Sequence, residues 1–148
     1  MVDRRFRRRQ LLLLAIPVVV LAFVLSFRVF DPKDRCQEPS AAPAAQTALL
    51  PAGLSFDQIG TVTGVRKDGR NIIVQAVTTK PPDEASVLIQ EAVTAAGYRF
   101  VGADSEGVEA EVFFSLGAFA GGQAHVQPAA CAGRWEIEAV LLDPDAVP

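Results

Sequence analysis

Asp104, Glu106, Glu109 and Glu111 form the densest cluster of ionisable side chains in the chain. Carboxylates so close together could offer hard oxygens to Ca²⁺, which takes about six to eight of them. The calcium-loop spacing is absent, however, and the chain enters a strand pattern at once. Two of the carboxylates could instead share general acid–base work. Glu109 and Glu111 fall on one face of that strand, with Cβ atoms roughly 7 Å apart by strand rise. Solvated charges on the outer face of an antiparallel sheet account for all four without any chemistry.

His125 is the only histidine. A nucleophilic triad needs a serine or cysteine activated beside it. No Gly-x-Ser-x-Gly elbow exists, and Ser86, Ser105 and Ser115 fall in a helix, a turn and a strand without supporting context. Cys131 lies six residues from His125, so a thiol–imidazole pair is conceivable. A disulfide with Cys36, the only other cysteine, competes for the same sulfur. Two cysteines match no zinc pattern. If both face an oxidising compartment, a Cys36–Cys131 bridge is the simplest reading, with free or intermolecular thiols as the rival.

The glycine-rich run at 117–122 (GAFAGG) lacks the Lys-Ser/Thr that completes a phosphate loop, and no helix follows it. It reads as a flexible hairpin connection with Phe119 at its tip. An exposed aromatic there suits docking to a partner or a membrane surface; burial in the core is the competing reading. Phe113 alternates onto the same side of its strand as Glu111. Phe113 and Phe119 are therefore the interaction candidates. No residue stands out as catalytic, cofactor-binding or metal-ligating, so the expectation is a non-enzymatic protein without a cofactor.

The elements that must position these residues divide the chain by charge and hydropathy. Residues 11–27 read LLLLAIPVVVLAFVLSF, without a charge. Arg4, Arg5, Arg7, Arg8 and Arg9 precede them, and Arg28 follows. At ~1.5 Å rise per residue this run makes about 25 Å of helix, the short end of what a bilayer core needs. Val29 and Phe30 extend the span if Arg28 snorkels, and Pro17 is expected to kink it. The arginines predict a cytoplasmic N-terminus and everything after residue 30 outside the cytoplasm.

A cleaved signal peptide uses the same pattern. Its small-x-small site is missing here until Ala42-Pro43-Ala44, well downstream of the bulky, charged residues 28–33. Arg8-Arg9 resembles a twin-arginine signal only loosely. Lys33-Asp34-Arg35 before Cys36 does not suit a lipid-attachment site.

The expected organisation is a basic cytoplasmic segment at 1–10, a transmembrane helix at 11–30, a juxtamembrane segment with an Ala/Pro linker at 31–51, and an extracytoplasmic α+β domain at 52–148. If Cys36 is bridged, the linker becomes a strap along the domain. Residues 1–35 hold eight Lys/Arg against three Asp/Glu, net +5. Residues 52–148 hold six against thirteen, net −7. An acidic domain excludes nucleic-acid binding through clustered basic residues. Its 97 residues suffice for one core.

Within that domain Ile59, Thr61, Thr63 and Val65 are expected on one face of a strand, turning at 67–70 into a second strand at 71–79. Pro81-Pro82 opens a helix whose Ala85, Leu88, Ile89, Ala92, Val93 and Ala96 share one face, and Gly97 stops it. Strands follow at 98–103 and 108–116, with a turn at 104–107 between them. In the second, Val108, Ala110, Val112, Phe114 and Leu116 oppose Glu109, Glu111, Phe113 and Ser115. A short strand at 123–127 and a last one at 134–142 complete the pattern. Tyr98, Phe100 and Trp135 read as core edge. The order ββαββββ predicts one helix packed on a mostly antiparallel sheet.

From this reading comes a single-pass membrane protein presenting an interaction domain in the cell envelope. Its partners would be the lipid bilayer and another membrane or envelope protein. A binding domain for a small apolar or envelope-derived ligand is the alternative, and a carboxylate-dependent enzyme the third.

Overall fold

The computed structural model describes residues 36–146. The expected span at 11–30 lies outside the described residues. Among those described, no helix is long and apolar enough to cross a membrane. Residues from Glu38 onward form one compact unit.

The sheet has six antiparallel strands: β1 (Thr61–Asp68), β2 (Asn71–Thr78), β3 (Arg99–Ser105), β4 (Ala110–Leu116), β5 (Phe119–Pro128) and β6 (Trp135–Leu142). They lie in the order β1-β2-β6-β5-β4-β3. The β1–β2 hairpin turns at Gly69, whose φ of +59° is the left-handed conformation that Asp-Gly turns favour. β3 to β6 form a meander that runs inward from the opposite edge until β6 docks on β2. One main helix joins the two halves and packs on one face of the sheet, as the α+β reading expects. The order ββαββββ is incomplete, however. A short helix, α1 (Ala44–Thr47), precedes β1, and a 3₁₀ turn (Pro144–Ala146) follows β6.

Register places the core. Ile72 faces Leu141, Val74 faces Ala139 and Ala76 faces Ile137 across β2 and β6. Those rows continue into Gly122, Ala124 and Val126 of β5, then Phe114, Val112 and Ala110 of β4. All but Gly122 are buried. The alanines keep the sheet's inner surface low where large side chains must pack against it. Leu54, Phe56 and Ile59, from the segment before β1, join the same core.

The main helix, α2 (Pro82–Ala95), follows from local chemistry. Pro82 occupies its first turn, where no N–H is required, and Asp83 and Glu84 lie at the positive end of its dipole. Lys80 Nζ reaches Glu84 at 2.6 Å. Ala85, Ile89 and Val93 are buried and Leu88, Ala92 and Ala96 are half-buried, so the expected apolar face is the packed one. The end is a complete Schellman motif. Tyr98 N–H donates to the Val93 carbonyl and Gly97 N–H to that of Thr94, both at 3.0 Å, with Gly97 at φ +88°. This closure drives Tyr98 into the core. Its ring meets Phe114 edge-on at 5.5 Å, and its hydroxyl donates to the Leu142 carbonyl at 2.6 Å.

Several sequence expectations are corrected, two of them at register shifts. In β1 the pairing slips between Val62 and Gly64. Val62 and Val65 therefore share the inner side with Ala76 and Val74, and Thr61 and Thr63 do not join them. Val108 is exposed, because a Glu106 N–H to Glu109 carbonyl bond at 3.0 Å makes these residues a turn. Asp104 and Ser105 belong to β3 instead of that turn. Ser115 keeps its expected side with Phe113 but is buried there, and its Oγ accepts from Arg99 Nε at 3.2 Å.

The hairpin connection is Gly117-Ala118 alone, shorter than the expected run at 117–122. β5 begins at Phe119, and Gly121 is the extra residue of the shift that pairs Phe114 with Gly122 and Ser115 with Ala120. A side chain at Gly122, φ +137°, would collide with the Val140 carbonyl oxygen and come within 2.8 Å of the Phe114 ring. Gly117 sits in the two-residue turn at φ +59° with open space around it.

Two outcomes follow. Gly122→Ala lowers unfolding free energy by roughly 3 kcal/mol, through collision and strain together. Gly117→Ala costs only about 1 kcal/mol, the left-handed conformation alone. Equal losses in urea titrations would refute this account of β5. Tyr98, the only tyrosine, has its pKa raised from 10.0 to about 12, by burial first and by the Asp143 charge second. The raised value means that its stabilising contribution is full below pH 10 and is lost as pH climbs towards 12. Absorbance at 295 nm should show one phenol titrating near 12 in the folded protein and near 10 in denaturant. Coincident curves would place the Tyr98 hydroxyl in water.

Candidate interaction surface

α2 and the segment before β1 cover one face of the sheet, and the other carries side chains outward. Register arranges that outer face in rows. One row runs Arg66, Ile73, Val140, Gln123, Phe113 and Gly102; the next runs Gly64, Gln75, Glu138, His125, Glu111 and Asp104. Apolar groups therefore lie beside a row of carboxylates, about two residues apart along each strand.

The apolar end is an open groove of about 600 Å³, lined by Val101, Phe113, Ala118, Phe119, Gln123 and Val140 among others. Phe113 is 37% exposed, Phe119 44% and Val101 61%. Both candidate phenylalanines reach this groove, Phe113 by the expected alternation and Phe119 by a different route. Phe119 is not a loop tip but the first residue of β5, paired with Leu116. Phe113 faces outward in mid-strand. Val101 was not foreseen. It is the unpaired residue of the shift between Phe100 and Gly102 in β3. The signal available in the sequence was Gly102, since a glycine inside a strand often marks a bulge.

The carboxylates are distributed instead of gathered. Asp104 faces Glu111, and Glu111 faces His125, which in turn faces Glu138. His125 Nε2 lies 3.6 Å from Glu109 Oε2, an ion pair only while the imidazole is protonated. Among the described residues no three of His, Cys, Asp and Glu come together so as to hold a metal ion. Ser86 Oγ is committed to the Asp83 carbonyl at 2.8 Å. The conceivable Cys131–His125 pair has no thiol, because Cys131 is disulfide-bonded.

One buried carboxylate escaped the sequence reading. Asp143 lies at the end of β6, where Lys67 Nζ meets its Oδ2 at 2.6 Å. Its N–H donates to the Arg70 carbonyl, and its Oδ1 accepts from Asp145 N–H. The Lys67 hydrogen bond is the main cause that holds its carboxyl below the ordinary range, and that same bond raises the Lys67 ammonium. Its role is to tie the β1–β2 turn to the end of β6.

Cys36 and Cys131 are bonded to each other and neither is free. Residues 38–50 run as a strap along the β1 edge. Glu38 Oε1 meets Arg134 Nη2 at 2.5 Å, Ala42 N–H donates to the Val62 carbonyl at 2.8 Å, and Gln46 Oε1 accepts from Val65 N–H at 3.2 Å. Leu49 and Leu50 pack against the core. One sheet edge is thereby occupied, and β3 forms the other.

Reduction of the disulfide, or Cys36→Ser, should remove roughly 2–4 kcal/mol. The melting temperature then falls by about 8 °C or more, at 4–8 °C per kcal/mol for a domain of this size. Amide exchange at Val65 should quicken more than at Val74 in the sheet centre. An unchanged melting temperature would mean that the bridge constrains nothing the fold requires.

No protein-family model matches the chain, and no curated protein or solved structure matches it either.

Proposed function

We propose that this chain is a single-pass, membrane-anchored protein with a cytoplasmic N-terminus, presenting a small non-enzymatic domain that binds another protein of the cell envelope. The observation that carries the binding role is the groove of Val101, Phe113 and Phe119, left open on the uncovered face of the sheet. Exposed aromatics gathered on one surface are what partner-binding patches are built from.

Three features support the remainder. The uncharged run at 11–27 behind five arginines suits an anchor with its basic side inside. The disulfide suits an oxidising compartment beyond the membrane. The outward carboxylates Asp104 and Glu111 are exposed on the sheet face, where water competes for any reacting group.

A small apolar or envelope-derived ligand is the second reading. The volume and lining of the same groove favour it.

Photocrosslinking side chains placed at Phe113 and Phe119, activated in cells, test the proposal. One protein captured reproducibly from both positions, and lost with Val101→Glu, is the expected result. Captured lipid or glycan would put the ligand reading first. Absence of any captured protein from either position, with the protein folded and membrane-associated, would overturn the interaction reading.

A further inference from the structure

We infer that the open edge of β3 takes an extended segment of the partner as a seventh strand, and that this segment carries an apolar residue two positions from a lysine or arginine. The inference rests on the interaction reading above and adds the partner's chemistry to it.

The two edges of the sheet differ. The β1 edge has backbone and side-chain partners from the strap. Among the described residues, the backbone of β3 pairs with β4 alone. A strand whose outer N–H and C=O groups lack partners is a template for pairing. Its accessible residues confirm the access: Arg99, Val101, Ala103, Asp104 and Ser105 are all exposed.

What the added strand must carry follows from register. Side chains of a strand laid on β3 would alternate between the two faces of the sheet. On the outer face, one would stand beside Gly102, over the groove of Val101, Phe113 and Phe119. The next, two residues along, would stand beside Asp104 and Glu111. The first position selects an apolar side chain. The second selects a cation, because Asp104 and Glu111 are like charges directly opposite each other. Among the described residues, no cation lies within ion-pair distance of Asp104, Glu106 or Glu111.

A second copy of this chain fits less well. The single basic residue of β3 is Arg99, already bonded to Ser115, and residues 52–148 are net −7. Like-charged domains gain nothing from meeting at an acidic edge.

The test uses the full chain in detergent micelles and three synthetic peptides. The first is a nine-residue threonine peptide with Val and Lys taking turns at every second position. The second is its Val/Glu counterpart. The third is the Val/Lys peptide with alternate backbone amides N-methylated on the pairing edge. Fluorescence anisotropy measures affinity, and amide hydrogen exchange locates the contact.

The Val/Lys peptide should bind at least tenfold more tightly than the Val/Glu peptide, protect β3 amides, and lose binding on N-methylation. Asp104→Lys with Glu111→Lys, both exposed positions, should reverse the charge preference. Equal affinity for the two charges, undiminished binding of the N-methylated peptide, or protection that spares β3 would overturn the inference. So would β3 protection without peptide, whether it rises with protein concentration or appears on adding phosphatidylglycerol vesicles. The crosslinking outcome separates the two levels. A protein captured at Phe113 and Phe119 while β3 stays unprotected overturns the strand pairing and leaves the interaction reading standing.

Discussion

The pairing of β2 with β6 joins the two halves of the sheet, and the remaining packing depends on it. Eight residues pair from Asn71–Leu142 to Thr78–Trp135 without a register shift. Three of those pairs are buried on both sides. A one-residue slip would turn Ile72, Val74 and Ala76 outward and bring Ile73, Gln75 and Val77 into the core. Asp143 secures the register at one end, through Lys67 and the Arg70 carbonyl. At the other end, Thr78 Oγ1 donates to the Ile59 carbonyl at 2.6 Å and ties in the segment before β1. These partners are far apart in sequence, so the seam forms only after a large loop is closed.

With the seam in place, the two sheet edges receive opposite treatment. The strap supplies β1 with partners and is held by the disulfide and by Glu38–Arg134. β3 has none of this, and its own bulge and charges are what restrain it. Because α2 carries the chain from β2 across to β3, the edge strand follows directly from the helix stop at Gly97. The same Schellman closure that buries Tyr98 therefore fixes where the exposed edge begins. Packing and candidate surface share that one turn of chain.

Much of this was legible in the sequence, and the failures have a common cause. Helix α2, its apolar face and its glycine stop were readable because proline, acidic first turn and 3.6-residue periodicity all agree. The alternation of β4 between Ala110 and Phe114 was readable for the same reason. Three of the misread places are register shifts, each beside a glycine: Gly64 in β1, Gly102 in β3, Gly121 in β5. A period-two pattern carries no sign that one residue is to be skipped, so Thr63 was assigned to the wrong side and Val101 to none. Phe113 was placed by alternation alone. Phe119 was chosen for the wrong reason, as a loop tip, and Val101 was missed. The groove needs all three, and only the bulge in β3 brings the third. Asp143 was invisible because its value lies in partners more than 70 residues away.

The bulge at Val101 has two effects that bear on selectivity. It interrupts the regular ladder at an edge strand, which discourages indiscriminate pairing with any passing strand. It also turns an apolar side chain towards Phe113 and Phe119, so the interruption itself builds the groove wall. Below it, Asp104 and Glu111 add a like-charge pair that an apolar or acidic strand would have to desolvate without compensation. Discrimination of this kind comes as much from what is repelled as from what is attracted. A β edge guarded by a bulge and two carboxylates repels acidic domains of its own kind, and the same two features suit the proposed strand that brings both an apolar side chain and a cation.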